Sequence, residues 1–155
     1  MPGAESTTYL VRHAKAGSRE HWTAPDRERP LTEPGRLQAK ALVELIGRGV
    51  RSIRSSPYQR CVETVTPLAD ALGLRVEEED GLAEGAGPAW ALTELATVGG
   101  TVLCTHGDVM AEAVIRLAED GVPLEGGMHW AKAATWAFDI AGGRIVAGRY
   151  LLPPG

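Results

Sequence analysis

The chain has little cysteine: two residues in 155, Cys61 and Cys104. Each stands in an apolar-looking segment, and neither belongs to a C-x-x-C pair or a Cys/His cluster. A disulfide-stapled scaffold is therefore excluded, and zinc lacks its ligands. Two buried, reduced thiols are the reading that remains. No apolar run approaches membrane-spanning length, and the N-terminal MPGAESTT has no apolar signal core. A cytoplasmic protein with no membrane partner is expected. Positive charge is not in excess either: 16 Lys and Arg against 20 Asp and Glu leave a formal net charge of -4. That argues against nucleic acid as a partner, although it leaves room for a small basic pocket. Internal repeats and low-complexity tracts are missing as well.

What is present is ordinary for a globular chain: 44% hydrophobic and 23% charged residues. The length suits one domain, 1–155, with one real core. Thr8 to Val11 reads as a short buried strand, and Ala16 to Pro30, rich in Gly, Pro and charges, as a loop. Thr32 can cap a helix with Pro34 in its first turn; Leu37, Ala41, Leu42, Leu45 and Ile46 recur at helical spacing, and Gly47 and Gly49 close it. Arg51 to Ser55 reads as a second strand. Tyr58 to Leu72 reads as a helix with Val62, Val65, Leu68, Ala69 and Leu72 inward and a kink or break at Pro67. Arg75 to Glu78 is an edge strand, Ala89 to Val98 a weaker helix, and Thr101 to Thr105 a strand followed by the helix VMAEAVIRLAE. The segments AATWAFDI and RIVAGRYLL, joined through Ala-Gly-Gly, form a closing hairpin. This alternation predicts an α/β fold, a three-layer α/β/α sandwich around a mostly parallel central sheet.

In such sheets ligands gather at the carboxyl ends of the strands. Three segments share that design. TYLV leads into Arg12-His13, SIRSSP into Arg60 at a helix start, and VLCT into His106-Gly107. If the three strands are parallel neighbours, two arginines and two histidines converge at one rim. Guanidinium forks match phosphate oxygens, and a helix N-terminus favours an anion. A neutral imidazole can attack phosphorus, and the positive neighbours should hold His13 neutral. The group fits the charge of a phosphoryl-transfer transition state. A metal on His13 and His106 would be repelled by the two arginines, so no metal is expected there.

These residues resemble the histidine phosphatase superfamily, also called phosphoglycerate mutase-like. Arg12-His13 looks like its RHG motif with Ala14 in the glycine's place. Pro30 to Ala39 is similar to L-T-x-x-G-x-x-Q-A, Ser55 to Thr64 to S-S-P-x-x-R-x-x-x-T, and Thr105 to Gly107 to the second histidine motif. The matches run in order from Tyr9 to about Ala113. The resemblance implies a phosphoglycerate mutase-like fold and a phosphohistidine intermediate on His13. Arg12, Arg60 and His106 would bind the phosphoryl group, and water would release it. No organic cofactor is implied. Glu84, in DGLAEGAG, lies in the region where many members carry the proton donor. Asp108 resembles the acid of another branch but stands one residue too far along, and the small SixA-like phosphohistidine phosphatases have no obvious acid. The chain also resembles the phosphatase-like domain at the C-terminus of some actinobacterial Nudix hydrolases, though it carries no Nudix box.

Several placements stay open at this level. Lys15, Ser18 and Arg19 line the phosphate pocket or are solvated loop residues, and Gly107 lies beside the second histidine. His21 with Trp22, and His129 with Trp130, rim the pocket or pack in the core. With little room for a capping insertion, an open pocket is expected, suited to a protein-borne or extended substrate. The partner is then a phosphorylated small molecule or a phosphohistidine protein. A non-catalytic phosphate-binding regulatory module is the alternative from another class.

Overall fold

Side chains alternate across a strand, and that alternation sets the layers. The structure, a computed structural model, describes residues 6–47 and 49–154; most of the N-terminal stretch read above as lacking a signal core lies outside these. The strands are β1 (Ser6–Arg12), β2 (Ser52–Ser55), β3 (Val76–Glu78), β4 (Thr101–Thr105), β5 (Leu124–Glu125), β6 (Thr135–Ala141) and β7 (Arg144–Leu151). They form one 7-stranded sheet in the order β3-β2-β4-β1-β6-β7-β5. Strands β3, β2, β4 and β1 are mutually parallel, and β6 runs against both of its neighbours, β1 and β7. The expected closing hairpin is β6 and β7.

Leu10 pairs with Leu103, and both turn to one face; Val11 pairs with Cys104, and both turn to the other. Helices α1 (Glu33–Leu45) and α2 (Gln59–Leu72) cover the second face through Leu42, Val65 and Leu68. Helices α3 (Ala89–Thr97) and α4 (Gly107–Glu119) cover the first through Leu95, Met110 and Val114, and Trp136 and Phe138 of β6 join them. This is the three-layer sandwich expected. At about 25 cal/mol per Å² of apolar area, each large side chain buried in these layers is worth about 1.5–3 kcal/mol before entropy is counted.

Two helical faces were misjudged. In α1 the buried positions are Gly35, Ala39 and Leu42, with Ile46 as the cap residue, while Leu37 is 61% exposed and Leu45 is also exposed. Leu42 and Ile46 face inward as expected, but the stripe begins with the small residues Gly35 and Ala39, where α1 lies close against its neighbours. Gly35 is the extreme: a Cβ there would come within 2.0 Å of the Lys15 carbonyl oxygen. In α2 the inward set is Cys61, Thr64, Val65, Leu68 and Ala69, whereas Leu72 at the helix end is exposed. Helix α2 runs through Pro67 without a break, with buried residues on both sides of it. The Thr32 cap stands as expected, its Oγ1 accepting from the Gly35 N–H at 3.1 Å. Helix α4 starts two residues before the expected Val109, which puts Gly107 and Asp108 into its first turn.

Candidate active site

The ends of β2, β4 and β1 lie side by side, so the segments that follow them are neighbours. Hydrogen bonds carry the parallel register past the strands: His13 N donates to Thr105 O at 3.0 Å, and Ser56 N to Cys104 O at 2.9 Å. His13 leaves β1, His106 caps α4, and Arg60 lies in the first turn of α2. The two imidazoles meet edge to face with centroids 5.5 Å apart. His13 is 7% exposed, and Arg60 and His106 are each 1% exposed.

Hydrogen bonding fixes what each ring presents. His13 Nδ1 lies 2.8 Å from the Ala14 carbonyl, which can only accept, so Nδ1 carries the proton and Nε2 keeps its lone pair. Burial, and after it the charges of His106, Arg60 and Arg12, lower the His13 pKa to about 3 against the pull of that hydrogen bond. The neutral form was expected from the charged neighbours; burial is the larger cause. His106 Nε2 lies 2.8 Å from Ser56 Oγ, and with the hydroxyl donating to it, Nδ1 carries the proton and faces Glu84 Oε1 at 3.9 Å. Among the described residues, Arg12 Nε, Arg60 Nε and His106 Nδ1 are buried with no hydrogen-bond partner. Buried donors call for an acceptor, and three of them gather around His13.

A buried guanidinium needs a counter-charge, and Arg60 has it from the loop after β1. Its NH1 donates to Asp26 O at 3.0 Å and its NH2 to Asp26 Oδ2 at 3.1 Å, with Glu84 Oε1 at 3.4 Å. Asp26 Oδ1 also accepts from Arg29 Nε at 3.0 Å. Burial pushes the Asp26 carboxyl up, and Arg29 and Arg60 together pull it further down, so its pKa lies below the ordinary value. The Ala16 to Pro30 segment, with two short 3-10 turns, thus folds over the site and is pinned by ions. Asp108 Oδ2 accepts from Gly85 N at 2.8 Å and so holds the turn that carries Glu84.

A cavity of about 680 Å³ opens above this floor. Ser18, Arg19, Glu84, Gly107 and Asp108 line it, as do Trp130 and Lys132. Gly107 is tight by contact: a Cβ there would meet Arg12 Cζ at 2.6 Å. Lys15 is exposed and is not part of the lining; its carbonyl accepts from the Thr32 N–H at 2.9 Å. Of the four aromatic or imidazole rim candidates, Trp130 lines this cavity and Trp22 a smaller one beside it. His129 packs against Tyr150 with centroids 5.5 Å apart, and His21 lines neither cavity. Ala14 is fully buried against Leu31, Ala39 and Ala133, which shows why a methyl group is accommodated at this position. Cys61 and Cys104 are free and buried. Cys61 Sγ lies 3.6 Å from His106 Nε2, so one thiol forms part of the support beneath the site.

Sequence reasoning missed Asp26, Arg29, Ser56 and Lys132. Ser56 had a signal in the S-S-P stretch. The DRER run offered four charges with nothing to show which would turn inward.

Residues 8–99 match the family model described as Histidine phosphatase superfamily (branch 1), and the chain belongs to that superfamily. His106 lies beyond the matched stretch, and the fold itself brings it to His13. An 8-oxo-(d)GTP phosphatase of Mycolicibacterium smegmatis is 33% identical over 161 residues, covering 99% of this chain and 50% of that protein. This chain therefore spans half the length of that relative. A SixA of Agrobacterium tumefaciens, assigned as a phosphohistidine phosphatase, superposes with a TM-score of 0.69 at 25% identity, over 96% of this chain and 99% of that one. A protein histidine phosphatase SixA in complex with tungstate shares the fold with a TM-score of 0.69 at 21% identity, over 94% of each chain. The fold is thus phosphoglycerate mutase-like. Among the described residues, no helix is long and apolar enough to cross a membrane.

Proposed function

We propose that this chain, as one histidine phosphatase domain, hydrolyses phosphorylated substrates through a phosphohistidine on His13. The observation that carries the reading is the His13 ring, neutral, with Nδ1 tied to Ala14 O and Nε2 left to attack, beside three unpartnered buried donors. In the first step a bond forms between His13 Nε2 and phosphorus, and the bond to the leaving group breaks. Arg12, Arg60 and His106 hold the equatorial oxygens where charge spreads, and the N-terminus of α4 at Gly107 adds its N–H groups. Glu84 supplies a proton when the leaving atom is an alkoxide oxygen. Water then attacks phosphorus, the P–N electron pair returns to Nε2, and phosphate departs. Ser18 and Arg19 face the leaving group from the loop over the site.

Two substrate readings have support. The SixA likeness supports a phosphohistidine protein, whose weak P–N bond asks little of a proton donor. The cavity of about 680 Å³ and the relative named for 8-oxo-(d)GTP support a small phosphorylated molecule such as a nucleotide. Brief mixing with a labelled phosphate donor should trap a phosphoenzyme that is stable to base and labile to acid. His13→Ala should abolish both the label and turnover, and full turnover in that variant would end the phosphohistidine reading. Phosphate binding by calorimetry with no turnover across esters, phosphoramidates and nucleotides would point instead to a non-catalytic module.

A further inference from the structure

The cations around the cavity are not equivalent. Arg60 is committed to Asp26 and Glu84, Arg29 to Asp26 and the Gly17 carbonyl, and Arg19 to Glu84 and Asp26. Arg12 NH1 donates to Trp130 O at 2.7 Å. Lys132 lines the same cavity and, among the described residues, has no hydrogen bond or ion pair. Burial, followed by the charges of Arg12, Arg29, Lys15 and Arg60, lowers its pKa. Every charged neighbour in that set is itself a cation, so an ammonium here gains most from an anion that the protein does not supply.

The backbone holds Lys132 in this position at a cost. Ala133, the next residue, has a φ of 64° and is the only non-glycine with positive φ among the described residues. Its N–H is shared between Arg12 O and His13 O, each at 3.1 Å, and Arg12 N donates to Ala134 O at 3.0 Å. The turn that presents Lys132 is therefore fastened to the two residues that begin the site. Backbone strain of this kind persists where the surroundings over-determine it and is a reason to look for function.

Depth separates Lys132 from the phosphoryl floor. Arg60 and His106 are 1% exposed, whereas Lys132 is exposed at the mouth. In an in-line displacement the leaving group departs away from the attacking nitrogen, hence away from the floor. The cavity volume of about 680 Å³ is also that of roughly twenty waters at about 30 Å³ each, far more than one phosphoryl group fills. We propose that Lys132 forms a second-anion subsite at the cavity mouth, and that it selects substrates whose leaving group carries its own phosphate, as in a nucleoside diphosphate or another phosphoanhydride.

The inference rests on the phosphohistidine reading and narrows it. In the first step the His13 Nε2–P bond forms and the anhydride P–O bond breaks. The electron pair goes to the bridging oxygen, which leaves as a phosphate monoester held by Lys132. Such an oxygen has a second pKa of about 6, so it needs no added proton. A phosphohistidine protein, by contrast, leaves a neutral imidazole that gives Lys132 nothing to bind.

The test compares GDP with GMP, and pyrophosphate with phosphate, in the whole chain and in Lys132→Met and Lys132→Arg. The ratio of kcat/KM for GDP over GMP should fall by about 10-fold or more in Lys132→Met, the scale of one charge-assisted hydrogen bond, and recover in part in Lys132→Arg. Calorimetry should show pyrophosphate binding tighter than phosphate, with the difference lost in Lys132→Met. An unchanged ratio and an unchanged binding difference would refute the subsite. Equal losses for both members of each pair would also refute it, and would place Lys132 on the reacting phosphoryl group. Absence of any phosphoenzyme with intact pyrophosphate discrimination would sink the phosphohistidine reading while leaving the subsite standing.

Discussion

The floor of the cavity and its rim are built by different means. The floor (His13, Arg60, His106 and Ser56) hangs from the ends of parallel strands whose register fixes it, and nearly every atom is out of water. The rim (Arg19, Asp26, Arg29, Glu84 and Lys132) comes from loops and turns, and all of it but Lys132 is held by ion pairs. A floor of this kind suits chemistry that tolerates little displacement. A rim of this kind can change composition without moving the sheet, and the proposed subsite at Lys132 lies in it.

The contrast predicts a descending series of effects. Arg60→Ala removes floor charge and should lower kcat by about 10²–10³-fold with any substrate, as loss of a transition-state donor does; a change confined to KM would mean that Arg60 only docks the substrate. Glu84→Gln on the rim should cost about 10–100-fold on alkyl phosphate esters and much less on phosphohistidine or phosphoanhydride, measured as initial rates on matched donors. A uniform loss would move Glu84 from proton donor to part of the phosphoryl floor. Asp26→Ala should lower stability by about 1–2 kcal/mol in urea titration, below the full penalty for an orphaned buried charge because Glu84 still faces Arg60. No change in the unfolding midpoint would show that water replaces the carboxylate without loss.

The remaining effect is read as a slope, the dependence of stability on pH. With a folded pKa of about 3 and an ordinary value near 6.5, His13 takes up a proton only on unfolding across that window. Its contribution is fully present above about pH 6.5 and is lost as pH falls, at up to about 1.4 kcal/mol per pH unit. Asp26, whose pKa is lowered below the ordinary carboxylate value, acts in the same direction at more acid pH. Unfolding of His13→Asn should therefore depend less steeply on pH between 4 and 6 than that of the parent, and parallel curves would remove His13 from the account.

The floor was legible in the sequence because each element of it follows a strand directly. A strand end fixes position, and TYLV, SIRSSP and VLCT each run into a chemistry-bearing residue. The layers were legible through periodicity, except where small residues make the close contacts. In α1 the apolar spacing picks out Leu42 and Ile46, which are buried, but it also favours Leu37 over Gly35 and Ala39, because apolar size signals burial and helix spacing does not reveal how near a neighbour lies. The rim was opaque for another reason. Asp26 reaches Arg60 across 34 positions of chain, through a loop with no periodic signal, and its partner is set by tertiary folding alone. Lys132 sits in a stretch that reads only as the approach to a strand, and the turn at Ala133 leaves no mark in a residue type that ordinarily avoids it.

Gly35 and Gly107 both have negative φ, so neither is needed for a special turn; each leaves space that other atoms already occupy, the Lys15 carbonyl in one case and the Arg12 guanidinium in the other. Randomised libraries aimed at new selectivity would lose their members at 35 to a collision with backbone, and at 107 to displacement of the Arg12 guanidinium. Diversity is better introduced at 19 and 132, whose side chains are exposed and line the open cavity.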